Sequence, residues 1–327
     1  MNQDQHRQYA IDALRNVVAL SGGGTVPQNL GPAILNALGD KSTHGEFVEA
    51  ASAPDRIRDT CLTLPGLPGP INPFPDKYCV LGHNLSSFQH FQCSRGGKDG
   101  GYLWSKDDSL TTPGDWASSE VMEALHTRVV YQQDPKGEKP PFPDTLTPPM
   151  QTCYDAQKGK ALDVFEFPST ASVGGCYGDR SAVAWRANDF AGWRGCAGFT
   201  LHFVHDALVP HHTWGVLLHG HSDWEDQIDA YWNDHLRQTQ LADPTGQLYK
   251  DTVCKAVAEE LGDIVGHETE KSVAGLIRAN AAYTTEWLKY RGITGPTELA
   301  VCTNNDALRI CIRAIASSVR ALMLIAA

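Results

Sequence analysis

No stretch of this chain sustains the alternating apolar and polar pattern of a half-buried strand, whereas segment after segment repeats apolar residues at helical spacing. That contrast narrows the fold, because a period near 3.6 and a period of 2 bury incompatible sets of side chains. Residues 6–20, "HRQYAIDALRNVVAL", place Tyr9, Ala10, Leu14, Val17 and Val18 at helical spacing. Similar patterns predict helices over 31–38, 45–60, 117–128, 184–208, 222–241, 248–266, 268–290 and 304–325. "SGGGT" (21–25) breaks the first of them. It lacks the strand, lysine and following helix of a phosphate loop and reads as a linker. "TLPGLPGPINPFPDKY" (63–78) and "DPKGEKPPFPDTLTPP" (134–149) read as irregular loops crossing the surface. No internal repeat and no shift of composition forces a boundary. The expectation is one all-α domain over 1–327, with a long loop insertion at about 93–185.

The 327 residues, 42% hydrophobic and 20% charged, suffice to bury a sizeable core. A formal net charge of −11 disfavours a broad phosphate-tracking surface for nucleic acid, which would rest on lysine and arginine. A small anion held by bound cations stays compatible with it, since metal charge outweighs the protein's own locally. "MNQDQHRQYA" is polar and lacks the apolar stretch of a signal peptide. The apolar C-terminal "ICIRAIASSVRALMLIAA" is interrupted by Arg313 and Arg320, so it reads as a buried terminal helix rather than a membrane span. The nine cysteines contain no CxxC pair and announce no disulfide framework. Cys79 with Cys93, or Cys153 with Cys176, would be candidate pairs in an oxidising compartment, and the compartment itself stays open. A native Met1 would suit the cytoplasm, a removed leader secretion.

Chemistry concentrates in "HFVHDALVPHH" (202–212) and "HSDWE" (221–225); six of the thirteen histidines fall within 202–221. Residues four apart share a helix face, so His202 projects with Asp206 and His221 with Glu225. Pro210 should end or kink the first helix, and that turn would bring His212 back toward the same pocket. Imidazole and carboxylate are ligands that zinc takes, and helical bundles build such sites in their cores from facing helices. A lone HxxxD is commonplace; two His–carboxylate pairs in register amid so many histidines point to metal.

The pattern His-x3-Asp-x5-His, followed after a gap by His-x3-Glu, resembles the signature of the zinc-dependent phospholipase C and fungal single-strand nuclease superfamily. "EAASAPDRIRD" (49–59) resembles that superfamily's Ala-Ser-x-x-Asp-x-Ile-Arg stretch, which implies Asp55 as a ligand. "SSFQHFQ" (86–92) resembles its Leu-His-Tyr element, which implies His90. His6 stands where the family carries a histidine five residues after the mature N-terminus. The resemblance implies two or three zinc ions. One would be held by Asp55, His90, His202 and Asp206, a second by His212, His221 and Glu225, and a third by His6, Asp206 and the terminal amine of Met1. It further implies a phosphoric ester hydrolase in which a metal-bridged water attacks a phosphodiester, with Asp55 orienting or deprotonating that water.

The chain departs from the family's pattern in three places. The family begins with tryptophan, exposed when a leader is removed, where this chain has Met1. The residue before the key aspartate is usually glycine, and here it is His205, expected on the helix surface or at the pocket mouth, as a substrate contact or catalytic proton shuttle. His211 and His219 read as surface or supporting groups rather than ligands. More chain separates His90 from His202 than the family usually has, and Trp104, Phe142, Phe165 and Phe167 within it are candidates for an apolar wall above the metals. That wall favours a small-molecule or lipid-like substrate over single-stranded nucleic acid. Two rival expectations follow from the departures: a zinc scaffold recruited to another reaction, such as cyclisation, dehydration or hydrolysis in small-molecule biosynthesis, or a zinc-binding protein without turnover.

Overall fold

Every residue from Ala197 to Asp206 is buried, so the second half of the helix Phe190–Asp206 meets protein on all sides. The computed structural model describes residues 3–56, 61–63, 88–97, 99–105, 130–132, 164–166, 168–216, 220–237, 246–295, 298–299 and 302–327. Its α-helices longer than a single turn are α1 (Gln3–Leu20), α2 (Leu30–Leu38), α3 (Lys41–Ser52), α4 (Thr170–Arg186) and α5 (Phe190–Asp206). There follow α6 (Pro210–Trp214), α7 (His221–Tyr231), α8 (Lys255–His267), α9 (Val273–Tyr290) and α10 (Asn304–Ala326). A π-helical turn, Trp232–Arg237, extends α7, and another, Lys250–Cys254, leads into α8. Among the described residues the only sheet consists of two antiparallel pairs of three-residue strands. β1 (Cys61–Thr63) pairs with β3 (Val130–Gln132), and β2 (Leu103–Ser105) with β4 (Val164–Glu166). The chain is all-α, as its periodicity indicates.

Around α5 pack α3, α4 and α10, with α1 laid across α3 and α10. The shared core includes Tyr9, Val17, Phe47, Tyr177, Trp193, Phe199, Phe203, Ile277 and Ile315. Helix α10 begins at a capping box in which Thr303 accepts from the Asp306 backbone N–H and Asp306 accepts from that of Thr303. It is buried almost throughout, which explains its apolar sequence. The two arginines that interrupt it are paired: Arg313 with Glu260 at 2.6 Å and lying over the ring of Tyr283, and Arg320 with Glu268. Among the described residues no helix is long and apolar enough to cross a membrane.

The structure redraws three of the expected elements. The helix expected over 184–208 is two, because Asn188 adopts a left-handed φ of 56° and Asp189 caps α5 by accepting from the Gly192 N–H. Thr170–Arg186, inside the stretch expected to be loop, is helix α4, capped by Ser169. It forms because it covers α5 and α9, with Gly174 and Gly178 facing their side chains too closely to admit a Cβ. The helix expected over 45–60 ends at Ser52 and gives way to the 3₁₀ turn Pro54–Arg56. Proline disfavours α geometry in the residue before it. The expected helix at 117–128 lies outside the described residues, as do Cys79 and Cys153.

One glycine governs how close α3 comes to α5. A Cβ at Gly198 would overlap the Phe47 carbonyl oxygen and sit 2.8 Å from the Ala50 Cβ. Gly198→Ala is therefore expected to push the helices apart and to cost about 1–3 kcal/mol, the range for overpacking a closed interface. Urea unfolding measures it; an unchanged midpoint would mean that the two helices are not held at this distance.

Candidate metal centre

Asp206, the last residue of α5, is the buried centre of a converging set of side chains from distant parts of the chain. His90 Nδ1 lies 2.7 Å from Asp206 Oδ2, and His202 Nε2 lies 3.2 Å from the same oxygen. The other carboxylate oxygen, Oδ1, faces His6 Nε2 at 3.7 Å and His212 Nδ1 at 3.5 Å. Asp55 Oδ1 stands 3.5 Å from His202 Nε2. A second pair, His221 and Glu225, sits 3.1 Å apart on the first turn of α7, and His212 joins it. Three groups of ligating atoms able to hold a metal ion result: His6, Asp55 and His202; His90, His202 and Asp206; His212, His221 and Glu225.

Local structure accounts for each placement. His202 and Asp206 share the buried face of α5 by their i,i+4 spacing. Pro210 starts α6 after a short break, and Gly215, at a left-handed φ of 84°, ends it after five residues. This short turn returns His212 to Asp206, as the proline suggested. Gly220 precedes α7, whose first residue is His221 and whose fifth is Glu225. The Gln5 side-chain amide donates to the Glu225 carbonyl at 3.0 Å, tying the start of α1 to α7. Asp55 rides the 3₁₀ turn after α3, and His90 ends another short 3₁₀ turn, Phe88–His90.

The electrostatics suit a bound cation. His202 Nδ1 donates to the Ala51 carbonyl at 2.9 Å, which leaves the neutral ring a lone pair on Nε2. That lone pair lies 3.0 Å from His90 Nδ1 and faces carboxylate oxygens of both Asp206 and Asp55. Acceptors therefore face acceptors until a proton, from His90 or elsewhere, or a cation lies between them. A histidine that hands its other N–H to a backbone carbonyl is the usual arrangement of a metal ligand. Burial alone would favour the neutral acid of Asp206, but the imidazoles of His202 and His90 bring its pKa well below the usual carboxylate range. Burial likewise opposes charge on His202, and Asp206 and Asp55 raise it nonetheless. For His6 and His212 burial prevails, and both are held well below the ordinary histidine value. They stay neutral, the form that binds metal. Among the described residues His6 Nε2, His212 Nδ1 and Asp55 Oδ2 are buried with no hydrogen-bond partner, in a fold that satisfies most such atoms. The donor set of imidazoles and carboxylates suits zinc.

Of the expected ligands, His6, Asp55, His90, His202, Asp206, His212, His221 and Glu225 all come together. Met1 lies outside the described residues, as do His219, Phe142 and Phe167. Trp104 and Phe165 are register partners in β2 and β4. His205 is corrected. It is neither a surface group nor at the pocket mouth, because it is fully buried and both ring nitrogens are engaged, Nδ1 by His6 at 3.1 Å and Nε2 by Ser318 at 2.7 Å. Burial, with His202 close by, pushes its pKa down to about 3, so it does not titrate near neutrality as a shuttle must. His211 is buried and stacked on His221 at 4.9 Å, a supporting group rather than a member of the ligand groups. Sequence reasoning missed the Ala51 carbonyl and Ser318, and neither carries a local signal that would have revealed it.

No family model, curated protein or solved structure matches the chain. The chemistry of the site therefore rests on its own geometry and on the motif.

Proposed function

We propose that this protein is a zinc-dependent phosphoric ester hydrolase acting on a small or lipid-like phosphodiester, of the kind its motif resembles. The observation that carries the reading is Asp206. Each of its carboxylate oxygens faces a different pair of histidines, His90 and His202 on one side and His6 and His212 on the other, as a carboxylate shared between two cations would. Neighbouring divalent ions are the recurring machinery of phosphoester hydrolysis.

Zinc bound there would supply Lewis acidity, bringing a water's pKa toward 7 and offsetting charge on the phosphoryl oxygens. The chain's own groups hold and orient that chemistry. His6, His90, His202, Asp206, His212, His221 and Glu225 are the ligands. Asp55, whose side chain is 24% exposed while His202 and Asp206 are sealed, is the most solvent-accessible of the three carboxylates. A partly solvated carboxylate there, with an oxygen lacking any hydrogen-bond partner among the described residues, can orient an attacking water or accept its proton. Two or three divalent cations outweigh the three carboxylates Asp55, Asp206 and Glu225. The pocket then becomes locally positive within a chain of net charge −11, which draws a small anionic ester to the site.

Protein purified without added zinc is expected to carry two to three equivalents by elemental analysis and to turn over a chromogenic phosphodiester. Both His202→Ala and Asp55→Asn should abolish that turnover. Less than half an equivalent after gentle purification would overturn the metal reading. Full zinc without hydrolysis of any phosphoester would reassign the scaffold to another reaction or to binding alone.

A further inference from the structure

His205 is a residue too polar for its place. It is fully enclosed between α1, α5 and α10, and Tyr9 packs edge-on against it at 5.2 Å. Its hydrogen bonds have only one consistent assignment of protons. The Ser318 hydroxyl donates to the Ala314 carbonyl at 2.8 Å, and a carbonyl can only accept. With its one proton committed, Ser318 Oγ must accept from His205 Nε2–H at 2.7 Å. A neutral imidazole protonated at Nε2 presents a lone pair at Nδ1, so the 3.1 Å contact between His205 Nδ1 and His6 Nδ1 requires the proton to sit on His6. His6 is thereby a Nδ1–H tautomer, with its bare Nε2 turned toward Asp206.

We propose that His205, anchored by Ser318, is a positioning residue that sets the tautomer and ring plane of His6 so that His6 Nε2 can ligate a divalent cation at the Asp206 junction. The inference rests on the metal-centre reading. It goes beyond it by assigning work to a position outside the ligand groups and to a serine 113 residues downstream. The ring of His6 is also stacked 3.8 Å from that of His202, with 21° between their planes, so a rotation of His6 would disturb a second ligand. Without the relay the Asp206 carboxylate facing His6 Nε2 at 3.7 Å would favour the Nε2–H tautomer, which points an N–H at the cation.

Three measurements test this. Nitrogen-15 spectra of the metal-free protein should show His6 protonated at Nδ1 and His205 at Nε2. Zinc competition with a chromogenic chelator should show the weakest-held equivalent bound about 10–100-fold more weakly in His205→Leu, the range for losing a hydrogen-bond partner of a ligand. His205→Asn, which keeps an acceptor near the Nδ1 position, should stay within about threefold of wild type if a supporting acceptor is what the ligand needs. Should His205→Leu fail to fold, Ser318→Ala asks the same question, and its metal-free protein should show His6 and His205 in mixed tautomers. The proposal is overturned if His6 is an Nε2–H tautomer in the wild-type protein, or if folded His205→Leu and Ser318→Ala both bind zinc as wild type does. A wild-type protein that binds no zinc would instead defeat the metal centre, while the spectra would still report whether the relay exists.

Discussion

Protein carrying Asp206→Asn is expected to purify with at least one zinc equivalent fewer than wild type and to hydrolyse a phosphodiester about a thousand-fold more slowly. The size follows from what the carboxylate does. Four histidines from separate elements direct nitrogens at its two oxygens, at 2.7 to 3.7 Å. An amide keeps the shape, removes the charge and replaces one acceptor with an N–H donor pointing at a ligand position. Lewis-acid assistance is worth several kcal/mol, and at about 1.4 kcal/mol per decade that is roughly three powers of ten in rate. Elemental analysis and steady-state kinetics on the folded variant decide it. Full zinc occupancy with turnover near the wild-type rate would remove Asp206 from the centre of the site.

Stripping the metal should be nearly as consequential for stability. A ligand present at about a thousand times its Kd adds roughly 4 kcal/mol to a fold that alone binds it. At about 2.1 cal/mol/K of unfolding entropy per residue, that corresponds to roughly 6 °C of Tm per site for a chain of 327 residues. Chelation is thus expected to lower Tm by on the order of 10 °C when two sites empty together. Acid should deepen the loss. In the metal-free fold, burial keeps His6 and His212 well below the ordinary histidine value and His205 at about 3, whereas in the unfolded chain all three take up protons near pH 6.5. Below that pH the unfolded state binds more protons, so these three groups lose stability as pH falls. His202 acts in the opposite sense. Its pKa is raised in the fold, and its contribution is fully present below about 6.5 and fades as pH rises through the folded value. Asp12, raised to about 6 by burial, likewise gains stability as pH falls toward its unfolded value. Three groups oppose two, so Tm of the chelated protein should still fall between pH 7 and pH 5. A melting temperature indifferent to chelation, or one that climbs on acidification, would contradict the burial and pairing described for these histidines.

The relation between sequence and site is uneven in an instructive way. His202 with Asp206 and His221 with Glu225 were legible because a helix brings residues four apart onto one face whatever the rest of the chain does. Pro210 announced the turn that returns His212, for a reason equally local. Asp55, His90 and His6 could be placed only through resemblance to other proteins, since no rule of periodicity connects residue 6 or residue 90 with residue 206. For His205, proximity in sequence misled. Standing next to Asp206 suggested the pocket mouth, but successive residues on a helix point about 100° apart, and that rotation places His205 behind the ligand His6 and toward α10.

What the sequence alone determined is the class of fold and the two His–carboxylate pairs, because apolar period and i,i+4 spacing are properties of a single helix. Only tertiary structure decided that α3 lies close enough to α5 for the Ala51 carbonyl to fix the tautomer of His202, and that α10 supplies Ser318 behind His205. Those contacts depend on the distance and rotation between whole helices, set by small residues such as Gly198 and by the packing of the shared core. Such distances are the sum of many weak contacts spread along the chain, and no short stretch of sequence contains that sum.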